Sequence, residues 1–138
     1  MAQAVETQEF VPHHLALKLK ELGFDKPCIA WYLTDEPTEP LPYPVVSFEF
    51  KNFNTDADRM SIPLWQQAFD WFREKFNYHH SIQSYHCVNK ELPFGVFIDY
   101  EMNGSWGYYE YSGKGDFQTY EEAREAALKY LIGLKQSK

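Results

Sequence analysis

Between Phe76 and Cys87 the chain reads FNYHHSIQSYHC, which places three of its five histidines and one of its two cysteines in a single short stretch. Two chemistries could use these residues: a zinc site, or a cysteine nucleophile activated by histidine. Zinc needs three or four ligands converging at about 2.0 to 2.3 Å, which histidines usually reach at i, i+4 on a helix or i, i+2 on a strand. Here His79 and His80 are adjacent, as are His86 and Cys87, and neighbours on a strand point to opposite faces. His80 and His86 would share a face, but six residues of strand separate them by about 20 Å. Cys87 and His86 likewise diverge, whereas a general base must reach its thiol directly. No spacing favours assembly with His13, His14 or Cys28. The chain also lacks a G-x-S-x-G elbow, a phosphate loop, a dinucleotide fingerprint and an H-E-x-x-H helix. The expectation is a strand of unusual composition, with no catalytic residue, no cofactor and no metal. His79 and His80 should lie just beyond a helix C-terminus, where the helix dipole suits a protonated imidazole.

The frame that must position these residues is bounded by composition. A chain of 138 residues is about one domain and buries on the order of 68% of its unfolded surface. With 18% aromatic residues, the core should be built largely from rings. A formal charge of −7 disfavours nucleic-acid backbones and anionic membrane surfaces as partners. Cys28 and Cys87 form no CxxC pair and read as buried, reduced thiols. The N-terminal segment has neither the basic nor the apolar region of a signal peptide, and no run approaches the ~20 apolar residues of a membrane span. A cytoplasmic protein is expected, with a flexible N-terminus over 1–9 and a single α+β domain over 10–138.

Periodicity then supplies the elements. VPHHLALKLKELGF reads as a helix, with Pro12 in its first turn, Leu15, Leu19 and Leu22 on one face, Gly23 as the left-handed stop and Phe24 packed back on the last turn. CIAWYL, 28–33, reads as a strand without clean alternation, as if covered on both faces. The proline-rich stretch after it reads as an extended connector. In VVSFEFKNF, Val46, Phe48 and Phe50 alternate as the buried face of a strand. Residues 52–60 read as a polar turn, and Ser61 as the N-cap of a helix with Pro63 in its first turn and Trp65, Phe69, Phe72 and Phe76 on its buried stripe. Trp71 falls off the centre of that stripe. Three strands follow, in HSIQSYHCV, FGVFIDYE and SWGYYEYS, the last two joined by Asn103-Gly104, a strong hairpin signal because both central residues of the favoured turn take positive φ. GKG at 113–115 is a loop. A final helix opens on a capping box of Thr119 and Glu122, with Ala123, Ala127, Tyr130, Leu131 and Leu134 inward. The expected fold class is α+β: an antiparallel sheet of about five strands covered by helices, in the order α-β-β-α-β-β-β-α.

The segments LKLKELGF, QQAFDWFREKFN and TYEEAREAALKYL resemble a family of small Bacteroidetes proteins, many of them carried by phages and other mobile elements. That family has no established activity, so the resemblance implies an accessory protein and brings no catalytic residue with it.

The hairpin offers the candidate surface. A two-residue turn at Asn103-Gly104 pairs Met102 with Ser105, Glu101 with Trp106, Tyr100 with Gly107, Asp99 with Tyr108, Ile98 with Tyr109 and Phe97 with Glu110. One face then holds Val96, Ile98, Tyr100, Tyr109 and Tyr111. The other mixes Phe97 with Asp99, Glu101, Trp106, Tyr108 and Glu110. Carboxylates are rarely buried unpaired, so this second face should be wet, and aromatic rings rimmed by acids suit a partner bearing Arg or Lys. The expected function is therefore a non-enzymatic interaction protein whose partner is another protein, with a homodimer as one form of that interaction, and with neither nucleic acid nor membrane involved. The competing expectation is a small-molecule or hydrolytic site between helices and sheet that uses His86 or Cys87.

Overall fold

The computed structural model describes residues 9–34, 45–85, 90–102, 105–110 and 117–136, with the backbone alone at 33, 45–48, 101–102 and 105–110. The expected flexible N-terminus apart from Glu9, most of the proline-rich connector, His86, Cys87, the Asn103-Gly104 turn and the GKG loop lie outside the described residues. The chain divides into two compact units, Met1–Trp71 and Phe72–Lys138, and each is described by itself.

The first unit opens with α1, His13–Leu22. Pro12 caps it from an extended conformation (φ −68°, ψ 161°), and its carbonyl accepts the Leu15 and Ala16 N–H groups at 3.1 and 2.9 Å. Proline loses nothing there, since a helix's first N–H groups lack intrahelical partners. Leu15, Ala16 and Leu19 form the buried face. Gly23 stops the helix at φ 96°. Its N–H reaches the Lys20 carbonyl at 3.0 Å, while the Phe24 N–H reaches that of Leu19 at 2.9 Å, and the Phe24 ring is buried as expected.

Three strands follow: β1 Cys28–Leu33, β2 Val45–Lys51 and β3 Arg59–Ile62. They form an antiparallel sheet in the order β2-β1-β3, with Trp31 opposite Ser61 and Ala30 opposite both Val46 and Ile62. The third strand corrects the polar turn expected up to Met60. Met60, Ser61 and Ile62 are all buried, so the short strand shows no alternation that a sequence pattern could reveal. Ser61 is no helix cap. Its hydroxyl accepts the Phe53 N–H at 2.8 Å, and its own N–H donates to Asn54 Oδ1 at 2.8 Å, which ties β3 to the 3-10 turn Phe53–Thr55. Within β1, Cys28, Ala30 and Tyr32 are buried, Trp31 is half-buried and Ile29 is exposed. The strand therefore does alternate, and apolar residues on its open side hide the pattern. Phe50 is 63% exposed, against its expected place in the core. Glu49 beside it is exposed as well, so among the described residues neither face of β2 is covered there, and alternation, which orders the two faces but does not say what covers them, could not place the ring.

Helix α2, Trp65–Phe76, runs across the boundary between the units. Its N-terminus is held by Gln67 Oε1, which accepts the Leu64 N–H at 2.9 Å. Pro63 lies before the first turn, and its carbonyl accepts the Val11 N–H at 2.9 Å. Trp65, Phe69 and Phe72 are buried and Phe76 is half-buried. Trp71 widens the buried face: its Nε1 donates to Asp25 Oδ1 at 3.1 Å and its ring meets Phe24 edge-on at 5.4 Å. The helix ends at Asn77, in the left-handed region at φ 61°. The N–H groups of Asn77 and Tyr78 return to the carbonyls of Arg73 and Phe72, each at 3.1 Å.

The second unit holds β4 His79–Ser84, β5 Phe94–Met102, β6 Ser105–Glu110 and α3 Tyr120–Gln136. The strands form a second antiparallel sheet in the order β4-β5-β6, and α3 packs across β5 and β4. The capping box is present, with Thr119 Oγ1 accepting the Glu122 N–H at 3.1 Å and Glu122 Oε1 accepting the Thr119 N–H at 3.2 Å. Ala123, Ala127, Leu128, Leu131 and Ile132 are buried. Tyr130 and Leu134, expected inward, are half-buried. The fold is α+β, but the single sheet of about five strands is corrected, among the described residues, to two sheets of three strands, in the order α-β-β-β-α-β-β-β-α. Among the described residues, no helix is long and apolar enough to cross a membrane.

Candidate interaction face

The six hairpin pairs expected from a two-residue connection are the pairs found, from Met102–Ser105 to Phe97–Glu110. On the other side of β5, His79 pairs with Asp99, His80 with Ile98, Ser81 with Phe97 and Ile82 with Val96. The rows across the sheet therefore read His79–Asp99–Tyr108, Ser81–Phe97–Glu110 and, at the hairpin end, Glu101–Trp106. Of the five candidate residues, the structure describes the side chain of Asp99 alone. Those of Glu101, Trp106, Tyr108 and Glu110 lie outside the described residues, and only their register is established.

Alternation along β5 separates its two sides. Val96 and Ile98 are fully buried, whereas Asp99 is exposed and Phe97 half-buried. Tyr100 closes the inner side against the Tyr78 ring, edge-on at 6.1 Å. Asp99 sits in the interior of the central strand, where aspartate is a poor strand former. No described side chain pairs with its carboxylate.

The strand expected from the sequence began at His80, one residue after the observed start of β4, and this left His79 out of the row. The left-handed Asn77 turns the chain so sharply that β4 begins two residues later. His79 Nε2 lies 2.9 Å from Asn77 Oδ1, so the residue that stops the helix also holds the ring. An Asn followed closely by alternating residues was the available signal.

Other residues with chemical potential are committed elsewhere. Cys28 is fully buried, and burial pushes its thiol up to about 12 despite an opposing hydrogen bond with Ser61. A thiol so disposed is protonated and inert at neutral pH. Among the described residues, no group of three or more His, Cys, Asp or Glu side chains could hold a metal ion.

An open groove of about 540 Å³ lies in the second unit, lined by the apolar Leu92, Phe117 and Ala126 and by Gln118, Glu122, Glu125 and Lys129. Its carboxylates have structural duties: Glu122 closes the capping box, and Glu125 pairs with Lys129 at 3.0 Å. Compared with known proteins, the chain matches no family model, no curated protein and no solved structure.

Proposed function

We propose that this is a small non-enzymatic accessory protein of the cytoplasm that docks another protein on the outer side of the β4-β5-β6 sheet. The observation that carries the reading is Asp99: an exposed carboxylate without a described side-chain partner, in the middle of a central strand, between His79 and Tyr108 in register. A residue that weakens its own strand and gains no ion pair among the described side chains in return is one retained for something outside the fold. Register neighbours of the types Glu101, Trp106, Tyr108 and Glu110 suit a partner that presents Arg or Lys beside an apolar contact. The resemblance to proteins of phages and mobile elements is consistent with an accessory role.

The test is affinity capture from the source organism with the wild-type chain, Trp106→Ala and Asp99→Lys side by side. A partner retained by wild type and lost by both variants, each folded by circular dichroism, supports the reading. Variants that hold every partner as well as wild type would remove this face from consideration.

A second reading is favoured by the groove at α3, whose volume falls in the range of small-molecule sites. A ligand there would raise the melting temperature of wild type and of Asp99→Lys alike, and would lose that effect in Ala126→Trp, which puts a large ring on the groove lining.

A further inference from the structure

Strand β6 is unlike the other strands of the second unit in what covers it. It closes the sheet order β4-β5-β6, and among the described elements it packs appreciably on β5 alone, whereas α3 reaches across β5 and β4. Its residues, SWGYYE, include three aromatics and neither Lys nor Pro, the residues that usually blunt an exposed edge. An unguarded aromatic edge of this kind templates strand addition.

The register says which backbone groups are on offer. A connection of two residues makes Met102–Ser105 a hydrogen-bonded pair, and in an antiparallel ladder such pairs alternate with non-bonded ones. Tyr100–Gly107 and Ile98–Tyr109 are then bonded, while Trp106, Tyr108 and Glu110 turn their N–H and C=O groups away from β5. The strand thus offers three donors and three acceptors on the edge that no described strand pairs with.

From this edge we infer that β6 is a dimer interface, pairing antiparallel with β6 of a second copy about a two-fold axis through Tyr108. For the outer sides of the two sheets to coincide, the axis must pass through a residue position rather than between two. Centred on Tyr108, Trp106 stands opposite Glu110 of the partner subunit, and all the outward groups of both strands are paired. Centred on Gly107 or Tyr109, the ladder leaves the outward groups of one residue per chain unpaired. The Tyr108 register also sets no carboxylate directly across from another, which matters in a chain of charge −7. The two sheets become one of six strands, and a symmetric interface of this type is the commonest in soluble homo-oligomers. The inference rests on the same hairpin as the proposed docking face but concerns its edge, so each can fail alone.

Sedimentation equilibrium of the wild-type chain should show a dimer. Tyr108→Pro removes an outward N–H while leaving the β5–β6 ladder intact, as proline on an edge strand can, and should be monomeric; Tyr108→Thr, which keeps the N–H, should still dimerise. Should Tyr108→Pro fail to fold, the register is read from lysines instead. Trp106→Lys and Glu110→Lys should each dimerise, but the double variant sets Lys opposite Lys at two symmetric positions and should raise the dimer dissociation constant at least about tenfold. A wild-type chain monomeric at millimolar concentration, a folded Tyr108→Pro that dimerises normally, or a double variant as tight as either single one would overturn the inference. A monomer whose partner capture still depends on Asp99 would overturn it while leaving the docking face in place.

Discussion

His79 and Asp99 stand directly opposite each other in the β4–β5 pair, with Tyr108 completing the row on the far side of Asp99. An imidazole and a carboxylate from segments twenty residues apart thereby share one position on the sheet. The relationship singles out Asp99 as a residue whose removal should help the fold. Asp99→Thr replaces a poor strand former on a central strand with a good one and should stabilise the second unit by about 0.5 to 1 kcal/mol in urea unfolding, while weakening capture of the partner. A loss of stability with unchanged capture would show that the carboxylate serves the fold instead.

Cys28 predicts a pH dependence with a defined sign. Its thiol is raised from 9.0 to about 12 in the folded chain, so above pH 9 the unfolded chain releases a proton that the folded chain keeps. The folded state then binds more protons, and stability falls with rising pH by up to about 1.4 kcal/mol per unit between pH 9 and 12, with no effect below that window. Burial also raises the phenols of Tyr32 and Tyr78, which adds to the loss at the upper end. Urea midpoints of wild type and Cys28→Ala, compared from pH 8 to 11, should show a steeper decline for wild type.

Ser61 separates the strand assignment from the cap expected from sequence. As part of β3 its hydroxyl satisfies the buried Phe53 backbone, so Ser61→Ala strands that N–H and should cost about 1 to 3 kcal/mol. Gln67→Ala, which frees the Leu64 N–H at the true start of α2, should cost only about 0.5 to 2 kcal/mol. Hydrogen exchange would tell them apart, with loss of protection at Phe53 in the first variant and at Leu64 in the second.

Asn77 carries the left-handed turn that brings His79 into its row. Asn77→Ala should destabilise by about 1 to 2 kcal/mol, whereas Asn77→Gly should keep the turn with little loss. Thermal unfolding of the two variants checks the ranking, and equal losses would point to the Asn77–His79 contact rather than to the backbone.

Features written within a few residues of one another are legible in the chain itself. Gly23 and Phe24 end α1, Thr119 and Glu122 open α3, the ring stripe from Trp65 to Phe76 defines α2, and the spacing of Met102 and Ser105 sets every later pair of the hairpin. Each follows from helix period, capping or turn closure, which involve neighbours in the chain and leave their mark there. Only pairing in three dimensions shows that Arg59–Ile62 is a strand, that Phe50 is exposed, that the six strands among the described residues divide into two sheets, and that His79 stands opposite Asp99 in register. These depend on pairing between distant segments. A four-residue strand buried along most of its length shows no alternation, alternation orders the two faces of a strand without saying which is covered, and hydrogen bonding across a sheet is indifferent to the order in which the chain supplies its strands.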